Sequence, residues 1–256
     1  MEILGILNVT PDSFSDGGKW DTADRALARG RQLIADGATI VDVGGESTRP
    51  GAESIGADAE WARIEPVLAG LVSDGITVSV DTYHARTAAR AIAAGAAIIN
   101  DVTGGRIEPD IHRVVADSGA DYVLQHSRGG AVTTNETAVY DDIIADIADE
   151  MTVAIERATA AGIDPARLIL DPGLGFSKVG DQDWEVLGRL DELTERLPGR
   201  WLIGHSRKRF LAAVDADRDQ STATVSALLH GRVWGVRVHE ARMTAAALEI
   251  ARRIHA

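Results

Sequence analysis

Ile76-Thr77-Val78-Ser79-Val80, then residues 84–94, then Ala97-Ile98-Ile99-Asn100 decide the fold. A short β-branched run gives way to a helix-period stretch, Gly95 stops it, and a second apolar run follows at once. A strand, a helix and a strand in 25 residues is the repeating unit of a parallel α/β protein. The unit recurs in both directions. Strand-type runs cover Ile3–Asn8, Thr39–Val43, Ile76–Val80, Ala97–Asn100, Tyr122–His126, Leu168–Leu170, Trp201–Ile203 and Val236–His239. Helices are predicted around 21–36, 57–73, 84–94, 110–118, 138–161, 181–197, 221–233 and 241–254. Asp21, Asp181 and Ser221 read as N-caps, and Gly37, Gly75, Gly95 and Gly119 as C-terminal stops. No linker or charge block divides the chain, so residues 1–256 read as one domain. Eight β-then-α units in this length fit a closed (β/α)8 TIM barrel better than an open doubly wound sheet.

Composition narrows the function classes. The 39 acidic and 26 basic residues give a net charge of -13, which argues against nucleic acid or an anionic membrane as partner. With no cysteine there is no disulfide framework, no Cys-ligated zinc and no thiol nucleophile. No apolar run reaches the ~18 residues of a membrane span. Met1-Glu2-Ile3-Leu4-Gly5 carries no basic leader, so a cytoplasmic protein is expected.

Polar residues close every strand: Asn8, Asp42, Asp81, Asn100, His126, Asp171, Ser206 and His239. In a barrel these ends converge on the face where active sites sit, and together they predict a cup for a flat, polar ligand. Each alone could be a helix cap or turn former. The chain has only three lysines and three phenylalanines. Lys19 and Phe14 follow strand 1, Phe176 and Lys178 follow strand 6, and Lys208 and Phe210 follow strand 7, all on the predicted active face. Phenylalanines in loops suggest stacking or lid roles, against the alternative that each anchors its own loop. The strand-2 loop, Asp42-Val43-Gly44-Gly45-Glu46-Ser47-Thr48-Arg49-Pro50-Gly51, combines glycines with donors for an anion. Ser206-Arg207-Lys208-Arg209 and Arg237-Val238-His239 put basic groups after strands 7 and 8, where barrels often bind phosphate. A solvated basic turn is the alternative for the first of these.

In order and spacing, Asn8–Gly18, Asp42–Gly51, Val78–Thr82, Ile99–Val102, Asp171–Phe176, Ser206–Phe210 and Arg237–His239 resemble the dihydropteroate synthase family of folate biosynthesis. The resemblance covers essentially the whole chain. It implies a barrel, usually dimeric, that joins 6-hydroxymethyl-7,8-dihydropterin diphosphate to 4-aminobenzoate and releases pyrophosphate with Mg²⁺ assistance, the reaction sulfonamides target. By the same resemblance Asp171, Asp81, Asn100 and Lys208 hold the pterin. Asn8, Arg49, Arg237 and His239 hold the diphosphate, with Asn8 on the metal. Thr48, Arg49, Pro50, Phe176 and Ser206 form the aminobenzoate site. Lys208, Arg237, His239 and Asp81 are the residues implied in the chemistry, and a homodimer is the expected assembly.

The residue types suit those roles. A buried carboxylate accepts two parallel N–H groups from the pterin edge, and a donor-only lysine suits the ring's carbonyl. Three positions depart from the family pattern: Gln125 and its neighbours, where a Met-His-Met-Arg type of run is usual, His205, where a small residue is usual, and Glu240, where Asp is usual. The first is expected to change packing near the pterin, and the other two could alter substrate preference. Two further readings stand beside this one. A folate-methyl-transferring barrel would account for Asp81, Asn100 and Asp171 but not for the Ser-Arg-Lys run. A drifted paralogue would bind pterin without turnover.

Overall fold

The computed structural model describes residues 1–10, 19–47, 54–129 and 137–255, with only the backbone of 19–22. Eight parallel strands close into a barrel in chain order. They are β1 (Glu2–Asn8), β2 (Ile40–Gly44), β3 (Val78–Asp81), β4 (Ile98–Asp101), β5 (Asp121–Gln125), β6 (Leu168–Asp171), β7 (Arg200–Ile203) and β8 (Gly235–Val238). The helices are α1 (Lys19–Ala35), α2 (Ala57–Ser73), α3 (Ala85–Ala93), α4 (Asp110–Ala116), α5 (Ile143–Ala160), α6 (Gln182–Gly188), α7 (Leu190–Arg196), α8 (Arg218–Leu228) and α9 (Ala241–His255). The eight expected strands are all present, each within two residues of its predicted ends.

The helix boundaries differ for identifiable reasons. Asp142 caps α5 by accepting from Ile144 N–H at 3.0 Å and Ala145 N–H at 3.3 Å, so the helix starts there and not at 138. Asp217 does the same for α8, accepting from Asp219 N–H at 2.8 Å, and Ser221, expected as the cap, lies inside the helix. The stretch 181–197 breaks after Gly188, a weak helix former. Asp181 occupies the N-cap position of α6 without bonding through its side chain. Asp21, expected as a cap, falls inside α1. Gly37, Gly75 and Gly95 have φ of 103°, 75° and 101° and end their helices as expected. Gly119 has no such φ, and α4 ends at Ala116 with Asp117 as its C-cap.

Two apolar cores position the site. Between barrel and helices lies the larger one, with Val41, Val43, Leu68, Ile99, Leu124, Ile147 and Trp201 all 1% exposed or less. Inside the barrel Leu4, Ile40, Ile98, Val123, Ile169 and Leu202 form a separate layer. Side chains alternate faces along a strand, so the next inward positions are Ile6, Asp42, Asn100, Gln125, Asp171 and Gly204. β3 and β8 add Asp81 and Arg237 at that level, Asp81 pairing in register with Asn100. Thus one step toward the C-terminal ends of the strands the interior turns from hydrocarbon to carboxylate, amide and guanidinium. A buried polar layer is tolerated only where its members satisfy one another or a ligand.

Candidate active site

Arg237 organises one half of the barrel mouth. Its Nε donates to Asp42 Oδ2 and its Nη2 to Asp81 Oδ2, each at 2.6 Å. Asn100 Nδ2 donates to Asp42 Oδ2 at 3.3 Å. Burial works against the Arg237 charge, but Asp42 and then Asp81 outweigh it and raise the guanidinium above its ordinary value. Burial pushes Asp81 up to about 7, with Arg237 opposing. Asp81 Oδ1 is buried and has no partner, an acceptor poised for a donor from outside the chain. Asp42 closes its strand as the sequence foretold, but no role was attached to it; it is the carboxylate that orients Arg237.

Asp171, Lys208 and Phe176 build the other half. Asp171 is 3% exposed, and its Oδ1 accepts from Gly173 N–H at 2.7 Å. Burial raises the Asp171 carboxyl, with Lys208 the leading opposing charge. Burial lowers Lys208 to about 8, with Asp171 opposing. The inward position of the next strand is Gly204. A side-chain carbon there would lie 3.5 Å from Asp171 Oδ2 and 3.9 Å from Lys208 Nζ, so its absence leaves a slot between anion and cation. Lys208 also donates to the carbonyl of Leu174 and lies 4.7 Å from the Phe176 ring centre. Gly173 is obligatory: φ is 69°, and a Cβ would stand 1.9 Å from His126 O. Beside this slot Ser206 Oγ lies 2.9 Å from His239 Nδ1.

Other residues expected at the mouth point elsewhere. His126 follows inward Gln125 by one residue and therefore faces α5, its Nε2 3.0 Å from Glu150 Oε2. Lys178 is 1% exposed beneath its own loop, donating to Gly173 O at 3.1 Å and Phe176 O at 3.2 Å. Phe210 packs into the outer core, edge-on to Trp184 at 5.0 Å, so it is an anchor and not a lid. Arg207 pairs with Asp219 at 2.7 Å on the outside. Of the Arg207-Lys208-Arg209 run only Lys208 turns inward.

The three departures separate in the same way. Gln125 does line the inner layer, beside Asp171 in register, and its amide donates to Val102 O at 3.1 Å. His205 is fully buried against α8, its Nε2 3.0 Å from Thr222 O and 3.1 Å from Ser226 Oγ, so it touches neither predicted substrate site. Glu240 caps α9 by accepting from Met243 N–H at 2.6 Å. Thr48, Arg49, Pro50 and Phe14, with the Lys19 side chain, lie outside the described residues.

Backbone strain concentrates at the same face. Among the described residues only Ser177 (φ 50°) and Arg207 (φ 56°) are non-glycines in the left-handed region, one in the loop after β6 and one after β7. No three His, Asp or Glu side chains among the described residues converge as a metal cage. No helix among them is long and apolar enough to cross a membrane.

Residues 4–239 match the family described as pterin binding enzymes. Dihydropteroate synthase of Mycobacterium leprae is 44% identical, the match covering 98% of this chain and 92% of the relative. That of Bacillus subtilis is 40% identical over 95% of this chain and 85% of the relative. Among solved structures, the enzyme from Clostridium difficile in the presence of pteroic acid superposes with a TM-score of 0.90 at 36% identity, covering 100% of this chain and 97% of that one. The Xanthomonas albilineans enzyme in complex with 7,8-dihydropteroate gives 0.86 at 35% identity, covering 100% and 94%.

Proposed function

The chain belongs to the pterin binding enzyme family, and on that premise we infer that it acts as a dihydropteroate synthase. It transfers the pterinylmethyl group of 6-hydroxymethyl-7,8-dihydropterin diphosphate to the amine of 4-aminobenzoate, giving 7,8-dihydropteroate and pyrophosphate. The observation that carries this reading is the slot at Gly204. One Asp171 oxygen is held by Gly173 N–H while the other faces an open space across from Lys208. A pterin edge that presents N–H donors beside a carbonyl fits that anion–cation pair. Asp81, with one unpartnered oxygen, and Asn100 complete the ring around it.

The roles proposed for the chain's groups follow from their charges. Asp171 accepts the pterin N–H groups, Lys208 donates to the opposite edge, and Arg237, held by two aspartates, keeps a fixed positive charge where the diphosphate departs. Ser206 and His239, 2.9 Å apart, stand where the diphosphate and aminobenzoate sites meet. Phe176 supplies the aromatic wall for the aminobenzoate, with Thr48, Arg49 and Pro50 joining it by family resemblance. The leaving group departs from a methylene conjugated to the ring, and the arylamine is already nucleophilic when neutral, so no strong general base is needed.

Asn8 offers one neutral oxygen at the mouth, beside Gly44, whose Cβ position would lie 3.7 Å from it. A single such donor fits Mg²⁺ that arrives on the diphosphate with its own waters, and not a resident ion. Bound there, Mg²⁺ would neutralise charge developing on the pyrophosphate.

A homodimer belongs to the same proposal, supported by Met243, Ile250 and Ile254 exposed along α9 (42, 60 and 73%). A cytoplasmic location and a sulfonamide in the aminobenzoate place rest on the family resemblance; the Yersinia pestis dihydropteroate synthase is a solved relative with a sulfonamide drug complex.

The test is purified protein with pterin diphosphate, 4-aminobenzoate and Mg²⁺, followed for both pyrophosphate and dihydropteroate in equal amounts. Pyrophosphate without coupled amine would overturn the reading. Asp171→Asn should weaken pterin binding at least about 100-fold, since an amide N–H then faces an N–H where two charge-assisted bonds of about 1.5–3 kcal/mol each were accepted. Unchanged affinity would reduce Asp171 to a loop-forming role.

A further inference from the structure

A second cationic site lies on the opposite side of the strand wall. α4 has only seven residues and packs against α3, leaving a cleft of about 340 Å³ between it and α5. Arg106, His112 and Arg157 line it together with Pro109, Ala160 and Ala161. Its polar groups are incompletely used. Arg106 donates through Nη2 to Ser127 Oγ at 2.7 Å and through Nη1 to the carbonyl of Gly129, but its Nε is buried with no partner. His112 is 4% exposed, edge-on to Tyr122, and its buried Nε2 likewise has no partner. The Arg157 guanidinium has no hydrogen-bond or ion-pair partner among the described residues.

The charge here is not balanced from within. The carboxylates that act on these groups are Asp101 and Glu150. Asp101 already accepts from Thr103 N–H and Oγ1, Gly105 N–H and Tyr122 OH at 2.7–2.8 Å. Glu150 is taken by Arg128 and His126. Most other arginines differ: Arg86 and Arg90 share Asp58, and Arg252 and Arg253 share Glu249. Gly105, with φ 74°, packs its backbone against the same ring, a Cβ there falling only 2.2 Å from His112 Nε2.

We propose that the α4–α5 cleft is a second anion site, separate from the barrel mouth, that binds the phosphate of a small phosphomonoester between Arg106 and Arg157. His112 Nε2 is the third donor, and the organic body lies against Pro109, Ala160 and Ala161. Guanidinium forks match a tetrahedral oxyanion, and the volume is at the lower end of the roughly 300–1,000 Å³ of small-molecule sites, more than an inorganic ion needs. Burial holds the His112 imidazole below its ordinary value, Asp101 and the Gly104 carbonyl opposing and Arg157 adding to the depression. An anion accepting from Nε2 must raise it.

The experiment follows the His112 ring resonances, assigned by their loss in His112→Gln, while the full chain is titrated with phenyl phosphate and separately with inorganic phosphate at low ionic strength. Expected are a saturable shift, a His112 proton affinity about tenfold higher when bound, and tighter binding of phenyl phosphate than of phosphate. Arg157→Glu, on an exposed helix position, should weaken binding at least tenfold and leave dihydropteroate formation within twofold. An unmoved His112 signal, or equal affinity in Arg157→Glu, would overturn the site, and equal affinity for the two probes would remove the organic-body part. Because the readout is local to His112, its failure leaves the synthase reading standing, and failure of the synthase assay leaves this site standing.

Discussion

The loops after β6 and β7 contain nearly the same parts and use them in opposite ways. Each carries one lysine, one phenylalanine and one strained non-glycine, and each leans on a buried histidine. After β6, Phe176 faces the mouth while Lys178 is turned under the loop, its Nζ within 3.2 Å of Gly173 O, Phe176 O and His126 Nδ1. After β7, Lys208 faces the mouth while Phe210 is buried against Trp184. Burial pushes Lys178 down to about 7, yet three acceptors around Nζ are all satisfied only by an ammonium with three N–H groups. One loop therefore spends its cation on holding its backbone and its aromatic on the ligand, and the other does the reverse. Residue type at a strand end does not fix role; the direction of the Cα–Cβ bond does.

Exchanging the roles by mutation is the strongest way to break this comparison. Phe210→Ala should cost roughly 3–5 kcal/mol of stability, as buried aromatic truncations do, with the surviving folded enzyme still active. Phe176→Ala should cost less than half as much and show chiefly as a raised KM for 4-aminobenzoate. Denaturant unfolding and steady-state kinetics on the pair decide it; equal stability losses would make Phe176 a second anchor.

The lysines should split the other way. Lys208→Ala should lower kcat/KM at least about 100-fold, roughly 3 kcal/mol of lost binding to the pterin, with little loss of stability. Lys178→Met should leave two buried acceptors, Phe176 O and His126 Nδ1, unsatisfied, while Gly173 O keeps the Phe176 N–H, and cost about 3 kcal/mol of stability at 1–3 kcal/mol each. A Lys178→Met enzyme as stable as wild type would mean that water replaces the ammonium.

Why these differences escaped the sequence is a matter of parity. The eight apolar runs were legible because each is short, β-branched and followed by a helical period. Asp81, Asn100 and Asp171 of the inner ring are legible because carboxylates and amides ending apolar runs have few structural uses, whereas Arg237 reads only as a basic group on the phosphate side of strand 8. His126 was read into that ring because it is polar and ends its strand, but inward Gln125 precedes it, and one residue's step reverses the face. Counting forward by twos from inward Val123 chooses Gln125. His205 falls outside the strand alternation, and nothing in its neighbours tells that its ring turns under α8. Scarcity of lysine and phenylalanine located them in the right loops but carried no information on orientation. Asp42 had the correct parity and simply lacked a named partner, because its partner lies 195 residues away.

The histidines beneath the two loops sharpen the comparison through pH. Burial pushes both down to about 4, His126 with further help from Lys178 and against Glu150, His205 against the carbonyls of Thr222 and Ile203. The unfolded chain takes up protons near 6.5, before the folded one, so the stability these residues contribute is complete above that value and is lost as pH falls from about 6.5 toward 4. Between pH 7 and 5 each should cost about 2 kcal/mol at 1.36 kcal/mol per pKa unit. His205→Gln should remove about half of the fall in urea midpoint. An unchanged fall would place the acid sensitivity in carboxylates.

The smallest effect tests the strained residues themselves. Glycine at a left-handed position relieves strain of order 1 kcal/mol, offset in part by the greater freedom of the unfolded chain. At Arg207 the side chain's main contact is an exposed pair with Asp219, worth little, so Arg207→Gly should be neutral or stabilising by about 0.5 kcal/mol. At Ser177 the hydroxyl accepts from Arg128 N–H and donates to Arg128 O, both at 3.0 Å, in a residue 1% exposed. Ser177→Gly removes both bonds and should destabilise by about 1 kcal/mol despite the relief. The sign difference between the two variants, read in urea midpoints, is the point. It arises because the loop after β6 is tied to its neighbour across the barrel rim by the strained residue's own side chain, whereas the loop after β7 is held by Phe210. Two variants of the same sign would mean that backbone conformation alone, and not what each side chain is bonded to, sets the cost of these turns.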